Sequence, residues 1–183
     1  MDVLYIKNFD SINEVSIELD CLELFLEENK ILVNSVVKFF KIFSDIHTEK
    51  CKKEEFSSLL QKYSVNNITK ETTLELVLNK YTIFKFENNI LKNNRKEDSL
   101  HYKSEDYITE NSLDMEIDYW NRRIDYYNIK IENYFDTPSR YFSRPKMDSL
   151  HSQLAYMKER HASFLSVKDK VNHYIHSIEP HVL

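Results

Sequence analysis

Not one glycine occurs among the 183 residues of this chain. Phosphate-binding loops, dinucleotide fingerprints and strained nucleophile elbows need backbone positions that glycine alone fills cheaply. The sequence therefore builds none of them. Only Pro138, Pro145 and Pro180 interrupt the chain, which leaves room for long helices. Asn is abundant and substitutes for glycine at left-handed turn positions. With 42% apolar and 30% charged residues, the chain has material for one domain or two small ones with a packed core and a polar surface.

The net charge of −5 is unevenly spread. Residues 1–60 carry 7 basic and 12 acidic side chains, whereas residues 121–183 carry 10 and 7. Five of the six arginines (Arg122, Arg123, Arg140, Arg144 and Arg160) lie in that last third. An acidic front and a mildly basic back point to a directional partner surface. The acid is too sparse for a mimic of DNA. Cys21 and Cys51 are read as thiols, because the start of the chain, MDVLYIKNF, has no secretory pattern. The longest apolar region, Leu22 to Ile46, is broken by Glu27, Glu28, Lys30, Lys38 and Lys41 and cannot span a bilayer. A cytoplasmic protein with no membrane partner is the expectation.

Three segments follow from the patterning. In residues 1–94, Val3, Tyr5 and Lys7 alternate with Leu4 and Ile6, and Val15, Ile17 and Leu19 alternate with polar neighbours, which predicts a hairpin turning near Asp10-Ser11-Ile12-Asn13. Asp20 to His47 reads as one broad core helix, and Glu54 to Tyr63 as a short one. Thr69 is taken as the N-cap of a further helix to about Tyr81. Thr82 to Lys92 is taken as a hairpin about Asn88-Asn89. Helix, helix and hairpin over residues 48–94 give a winged-helix outline, although Thr69–Tyr81 lacks the basic side chains a recognition helix presents. Residues 95–111 form a polar linker.

The strongest pattern lies in residues 112–183. Leu113, Ile117, Trp120, Ile124, Tyr127, Ile131 and Tyr134 keep an unbroken heptad spacing. A second series runs Met147, Leu150, Leu154, Met157, His161, Phe164, Lys168, Val171, Ile175 and Ile178. At 1.5 Å per residue, helices of about 24 and 32 residues would be roughly 36 and 48 Å long. The connection from Asp136 to Pro145 is short, which folds them back antiparallel. The turns of the longer helix near Val171–Ile178 have no partner on the shorter one, and are expected to cover the N-terminal part or another subunit. The fold class expected is thus mainly α: a small N-terminal α+β part on a long core helix, followed by a long antiparallel coiled-coil helical hairpin.

The connection places Arg140, Tyr141, Phe142 and Arg144 between Pro138 and Pro145. Proline stiffens such a tip, and arginine and aromatic side chains are over-represented where binding energy concentrates. These four, with Arg122 and Arg123, are the candidate partner-binding residues. Chemistry is harder to find. His173 and His176 lie one helical turn apart, but two histidines without a further ligand do not make a metal site. Glu27-Glu28 and Glu54-Glu55 point to different helix faces. No catalytic residue, cofactor or metal is assigned. The function expected is a non-catalytic protein-binding module, an adaptor, chaperone-like factor or inhibitor, engaging a protein or nucleoprotein partner through the hairpin. The Asn-, Lys-, Ile- and Tyr-rich composition suits a phage or bacterial source, and a homodimer is compatible with the heptads. The alternative is a winged-helix-type regulator that binds nucleic acid through residues 48–94, with the basic hairpin on the phosphates.

Overall fold

A computed structural model describes residues 1–50, 55–87 and 109–181 of the chain. By contacts the chain divides into two compact units, Met1–Glu110 together with Lys170–Leu183, and Asn111–Asp169.

In the first unit, the alternating apolar residues at the N-terminus form strands β1 (Val3–Phe9) and β2 (Ile12–Glu18), as their period of two predicts. They pair antiparallel through Leu4↔Ile17 and Ile6↔Val15 and turn at Asp10-Ser11. A short helix α1 (Leu22–Glu28) and a longer helix α2 (Lys30–His47) follow. One continuous helix was expected over Asp20–His47. The structure breaks it at Asn29, whose backbone leaves the helical region at φ −115° and ψ 54°. Both the Asn29 N–H and its side-chain amide donate to the Phe25 carbonyl at 3.0 Å, while its own carbonyl accepts from Leu32 at 2.8 Å. The amide thus competes for backbone partners and serves as the stop of one helix and the start of the next.

Helix α3 (Phe56–Lys62) lies within the expected Glu54–Tyr63 helix. The segment after it corrects the sequence reading. Ile68–Leu78 is a strand, β3, where a helix from Thr69 to Tyr81 was expected. Leu74, Leu76 and Leu78 are buried and alternate with Thr73, Glu75 and Val77. That period of two, fed by β-branched residues, prevails over the helix propensity of Glu, Leu and Lys. Strand β4 (Tyr81–Glu87) returns along it through a two-residue turn at Asn79-Lys80. The sheet is antiparallel in the order β2-β1-β3-β4. With no helix at 69–81, residues 48–94 lose the recognition helix that a winged helix needs. Of the hairpin expected over Thr82 to Lys92, the first arm lies in β4; its turn at Asn88-Asn89, its return arm and all but the end of the linker at 95–111 lie outside the described residues.

The sheet buries one face against α2 and α3. Phe39 and Phe43 meet Phe84 edge-on, with ring centroids 5.8 and 6.0 Å apart, and Phe56 lies 4.6 Å from Phe86. Such ring pairs add to the burial of large apolar area. The last turns of the C-terminal helix belong to this unit: Lys170 Nζ pairs with Asp2 at 2.6 Å and reaches Asn79 Oδ1 at 2.6 Å. The turns near Val171–Ile178 therefore cover the N-terminal part, the first of the two expectations for them.

The second unit contains helix α4 (Glu110–Phe135) and most of helix α5 (Arg144–Ile178), which is a single unbroken helix. Tyr127, Ile131 and Tyr134 share a buried cluster with Met147, Leu150, Leu154 and Met157, and Trp120 and Ile124 pack against it. On α5 the buried series continues as Phe164, Val167, Val171, Tyr174 and Ile178. It slips one residue after Phe164, so that Val167 and Tyr174 are buried where the heptad pattern named Lys168 and Ile175. A local shift of this kind lets one helix present successive stripes to different surroundings. Lys168 instead reaches Asp114 Oδ1 at 2.5 Å.

Candidate functional site

The connection between α4 and α5 is built on Tyr134, at the last turn of α4. Its ring stacks on Phe142, with centroids 5.5 Å apart and planes 26° from parallel. Its hydroxyl accepts a hydrogen bond from the Ser143 N–H at 2.7 Å. Lys146 Nζ lies over the other part of this small cluster, 4.9 Å from the Tyr134 ring centroid. Between these anchors Ser139–Tyr141 form one 3-10 turn, closed by the Tyr141 N–H to the Pro138 carbonyl at 2.8 Å. Proline at 138 fixes the entry to that turn, and Pro145 occupies the start of α5, where its missing N–H costs no helical bond.

This clip leaves aromatic surface in water. Tyr141 is 62% exposed and Phe142 41%, and Phe135 at the end of α4 is 63% exposed. Arg144 is also exposed, and Arg140 lies within the 3-10 turn. Four of the six residues named from the sequence are therefore brought together in one loop. Of these, Phe142 is held by the Tyr134 ring it stacks on rather than by full burial of its own.

Arg122 and Arg123 are not part of that cluster. They lie 13 and 12 residues before the end of α4 at Phe135, about 18–20 Å along its axis. Arg122 is exposed and paired with Asp118 one turn earlier. Arg123 is half-buried, 5.4 Å from the Tyr127 ring centroid and 6.0 Å from that of Tyr126, and its buried Nε has no hydrogen-bond partner among the described residues. Its guanidinium is held by ring faces, so its role within the unit is packing as much as charge.

One surface was missed by the sequence reading. Met115, Tyr119, Tyr126 and Ile129 are each more than half exposed, with Arg122 among them. Their spacing puts them on a second heptad stripe, two residues out of phase with the buried seam. The signal was present in the sequence. It was hidden because a single apolar seam already explains a helix, and a second stripe on the opposite face has no packing to do.

The candidate metal residues do not gather: among the described residues, no group of three His, Cys, Asp or Glu side chains is placed to hold an ion. His176 meets Glu179 at 3.2 Å. Cys21 is a free exposed thiol, and Cys51 lies outside the described residues. No described helix is long and apolar enough to cross a membrane. Compared with family models, with curated proteins and with solved structures, the chain matches none.

Proposed function

We propose that this chain is a non-catalytic protein-binding module, an adaptor, chaperone-like factor or inhibitor, whose α4–α5 pair acts as an antiparallel coiled-coil hairpin and presents its connecting loop to a partner protein. The observation that carries the reading is the half-exposed Phe142 ring held on a support, the Tyr134 stack and its hydrogen bond to Ser143, with the exposed Tyr141 next to it in the chain. Large aromatic side chains already held in place lose little freedom on binding, which is what lets a small surface bind tightly. Arg144, exposed at the start of α5, adds charge and forked donors to this end of the hairpin. The stripe of Met115, Tyr119, Tyr126 and Ile129 supplies further contact area along α4.

The test is affinity capture from the native cell or infected host, with and without nuclease, using the chain and a variant in which Arg140, Tyr141, Phe142 and Arg144 are all Ala. The reading expects one protein partner that survives nuclease and is lost by the variant, while circular dichroism shows the variant still folded. Retention of that partner by the fourfold variant overturns the loop as the binding surface. Recovery only of material that nuclease removes, with salt-dependent binding to random duplex, replaces the reading with nucleic-acid binding.

A further inference from the structure

A cavity of about 560 Å³ opens in the first unit along one face of α2, within the size range of small-molecule sites. Asn34, Lys38 and Lys41 lie on that face at helical spacing, and Lys62 and Tyr63 at the end of α3 form the opposite wall. Three lysines line it against one carboxylate, Asp10.

The cations differ in what holds them. Lys38 is engaged by both Asp10 oxygens, at 2.9 and 3.0 Å, and by the Ser64 carbonyl at 2.9 Å. Lys62 is engaged by Asp45 at 2.7 Å. Lys41 makes no ion pair among the described residues, although Asp45 and Glu179 line the space next to it; its Nζ lies 6.0 Å from the Tyr63 ring centroid. The side-chain amides of Asn34 and Asn66 and the imidazole of His181 also line the cavity without a hydrogen-bond partner among the described residues. A free ammonium with neutral donors around it is a receptor for an anion with several acceptor oxygens.

The cavity does not end at the lysines. Lys41 and Tyr63 also line an adjoining space of about 180 Å³ walled by Phe40, Ile175 and Ile178. Tyr63 is fixed there by its hydroxyl, which donates to Asp45 at 2.6 Å. The charged half of the site thus leads past an oriented ring into a recess that Phe40, Ile175 and Ile178 share with Ser44, Asp45 and Glu179. We infer that this cavity binds a phosphorylated small molecule with a planar ring, of nucleoside monophosphate size: the phosphate meets Lys41 and Asn34, and the ring lies along Tyr63 toward the recess.

The probes are adenosine monophosphate, adenosine, inorganic phosphate and a short single-stranded DNA, titrated calorimetrically into the full chain. Saturable binding of adenosine monophosphate, tighter than that of either adenosine or phosphate, is expected. Lys41→Gln should weaken it about tenfold or more, since a charged hydrogen bond is lost. Lys30→Gln, exposed on the first turn of α2 and outside the cavity, should leave it unchanged. Should Lys41→Gln fail to fold by circular dichroism, the exposed Asn34→Ala decides, with a several-fold loss expected. Absence of saturable binding overturns the inference, as does equal binding by the cavity variants. Phosphate binding as tightly as the nucleotide removes the ring site, and DNA binding that the nucleotide does not displace assigns the lysines to a polymer instead.

Discussion

At the scale of single residues, a chain without glycine has to place other side chains where the backbone turns left-handed. Asn8, Asp10, Glu49, Ser64, Asn79 and Lys80 all have positive φ. Ser64 ends α3 in a Schellman motif, with Val65 N–H to Leu60 carbonyl at 2.9 Å and Ser64 N–H to Gln61 carbonyl at 3.0 Å, at the position that usually takes glycine. Lys80, at φ 69°, is the second central residue of the β3–β4 turn, where Asn-Gly is the favoured pair. Lys80→Gly relieves the Cβ strain there but frees the unfolded chain, so a net gain of about 0.5–1 kcal/mol is expected, read as a higher urea midpoint with unchanged slope. Asp10 puts its positive φ to a second use. Ser35 donates to it at 2.7 Å, Lys38 at 2.9 Å and the Asn66 N–H at 3.3 Å, tying the β1–β2 turn to α2 and to the chain before β3. Burial raises its pKa, yet these donors outweigh burial and hold the carboxyl below its ordinary value. Asp2 and Asp45 are shifted the same way by Lys170 and Lys62. A carboxylate whose folded pKa is depressed stabilises the fold above its unfolded pKa, about 3.9, and that contribution is lost as pH falls through the folded value. Asp10→Asn should therefore cost about 1–3 kcal/mol at pH 7, with the gap to the parent shrinking at about pH 3 in urea unfolding. An equal gap at both pH values would show that the charge contributes nothing.

Between elements, what was legible in the sequence depended on whether one pattern had a single explanation. The α4 seam was read residue for residue because seven apolar positions at heptad spacing admit only a helix, and those seven are buried or half-buried. The first hairpin was legible from alternation alone. The β3 strand was not, because Thr69 followed by Glu71 resembles a helix start while the Leu74-Leu76-Leu78 alternation comes later. Thr69 in fact donates its backbone N–H to Thr72 Oγ1 at 2.9 Å, and that buried hydroxyl donates to the Asn8 carbonyl at 2.6 Å, across the irregular pairing of β1 with β3. That long-range bond has no local signature. The loop residues Arg140 to Arg144 were found from composition between two prolines, but their support by Tyr134 was not, since the tyrosine reads equally well as another seam residue. The lysine cavity was invisible, because Lys38 and Lys41 meet Lys62 and Asn66 only through the fold. The seam itself predicts its own energetics. Leu154 is 8% exposed amid the α4–α5 cluster, and Leu154→Ala should cost about 2–5 kcal/mol by removing apolar contact and leaving a cavity. Leu165→Ala on the same helix, at 41% exposure, should cost far less, and chemical unfolding of the two variants side by side reads the difference.

For the whole molecule, the two proposed surfaces fall in different compact units, the aromatic loop in Asn111–Asp169 and the lysine cavity in the unit built on the sheet. Each draws on groups the other does not contain. The loop offers exposed aromatic area anchored at Phe142 by Tyr134, while the cavity offers one lysine without a carboxylate partner among the described residues, beside an oriented tyrosine. A single chain then carries two recognitions that substitution can separate. Lys41→Gln should lose adenosine monophosphate and keep the captured protein partner, whereas the fourfold alanine change at Arg140, Tyr141, Phe142 and Arg144 should lose the partner and bind the nucleotide as the parent does. Calorimetry and capture on the same preparations read both. Loss of both activities from either variant would mean that the two units respond to one another, since no residue is shared between the surfaces. Retention of each by the other's variant assigns partner binding to the helices and ligand binding to the sheet-bearing unit.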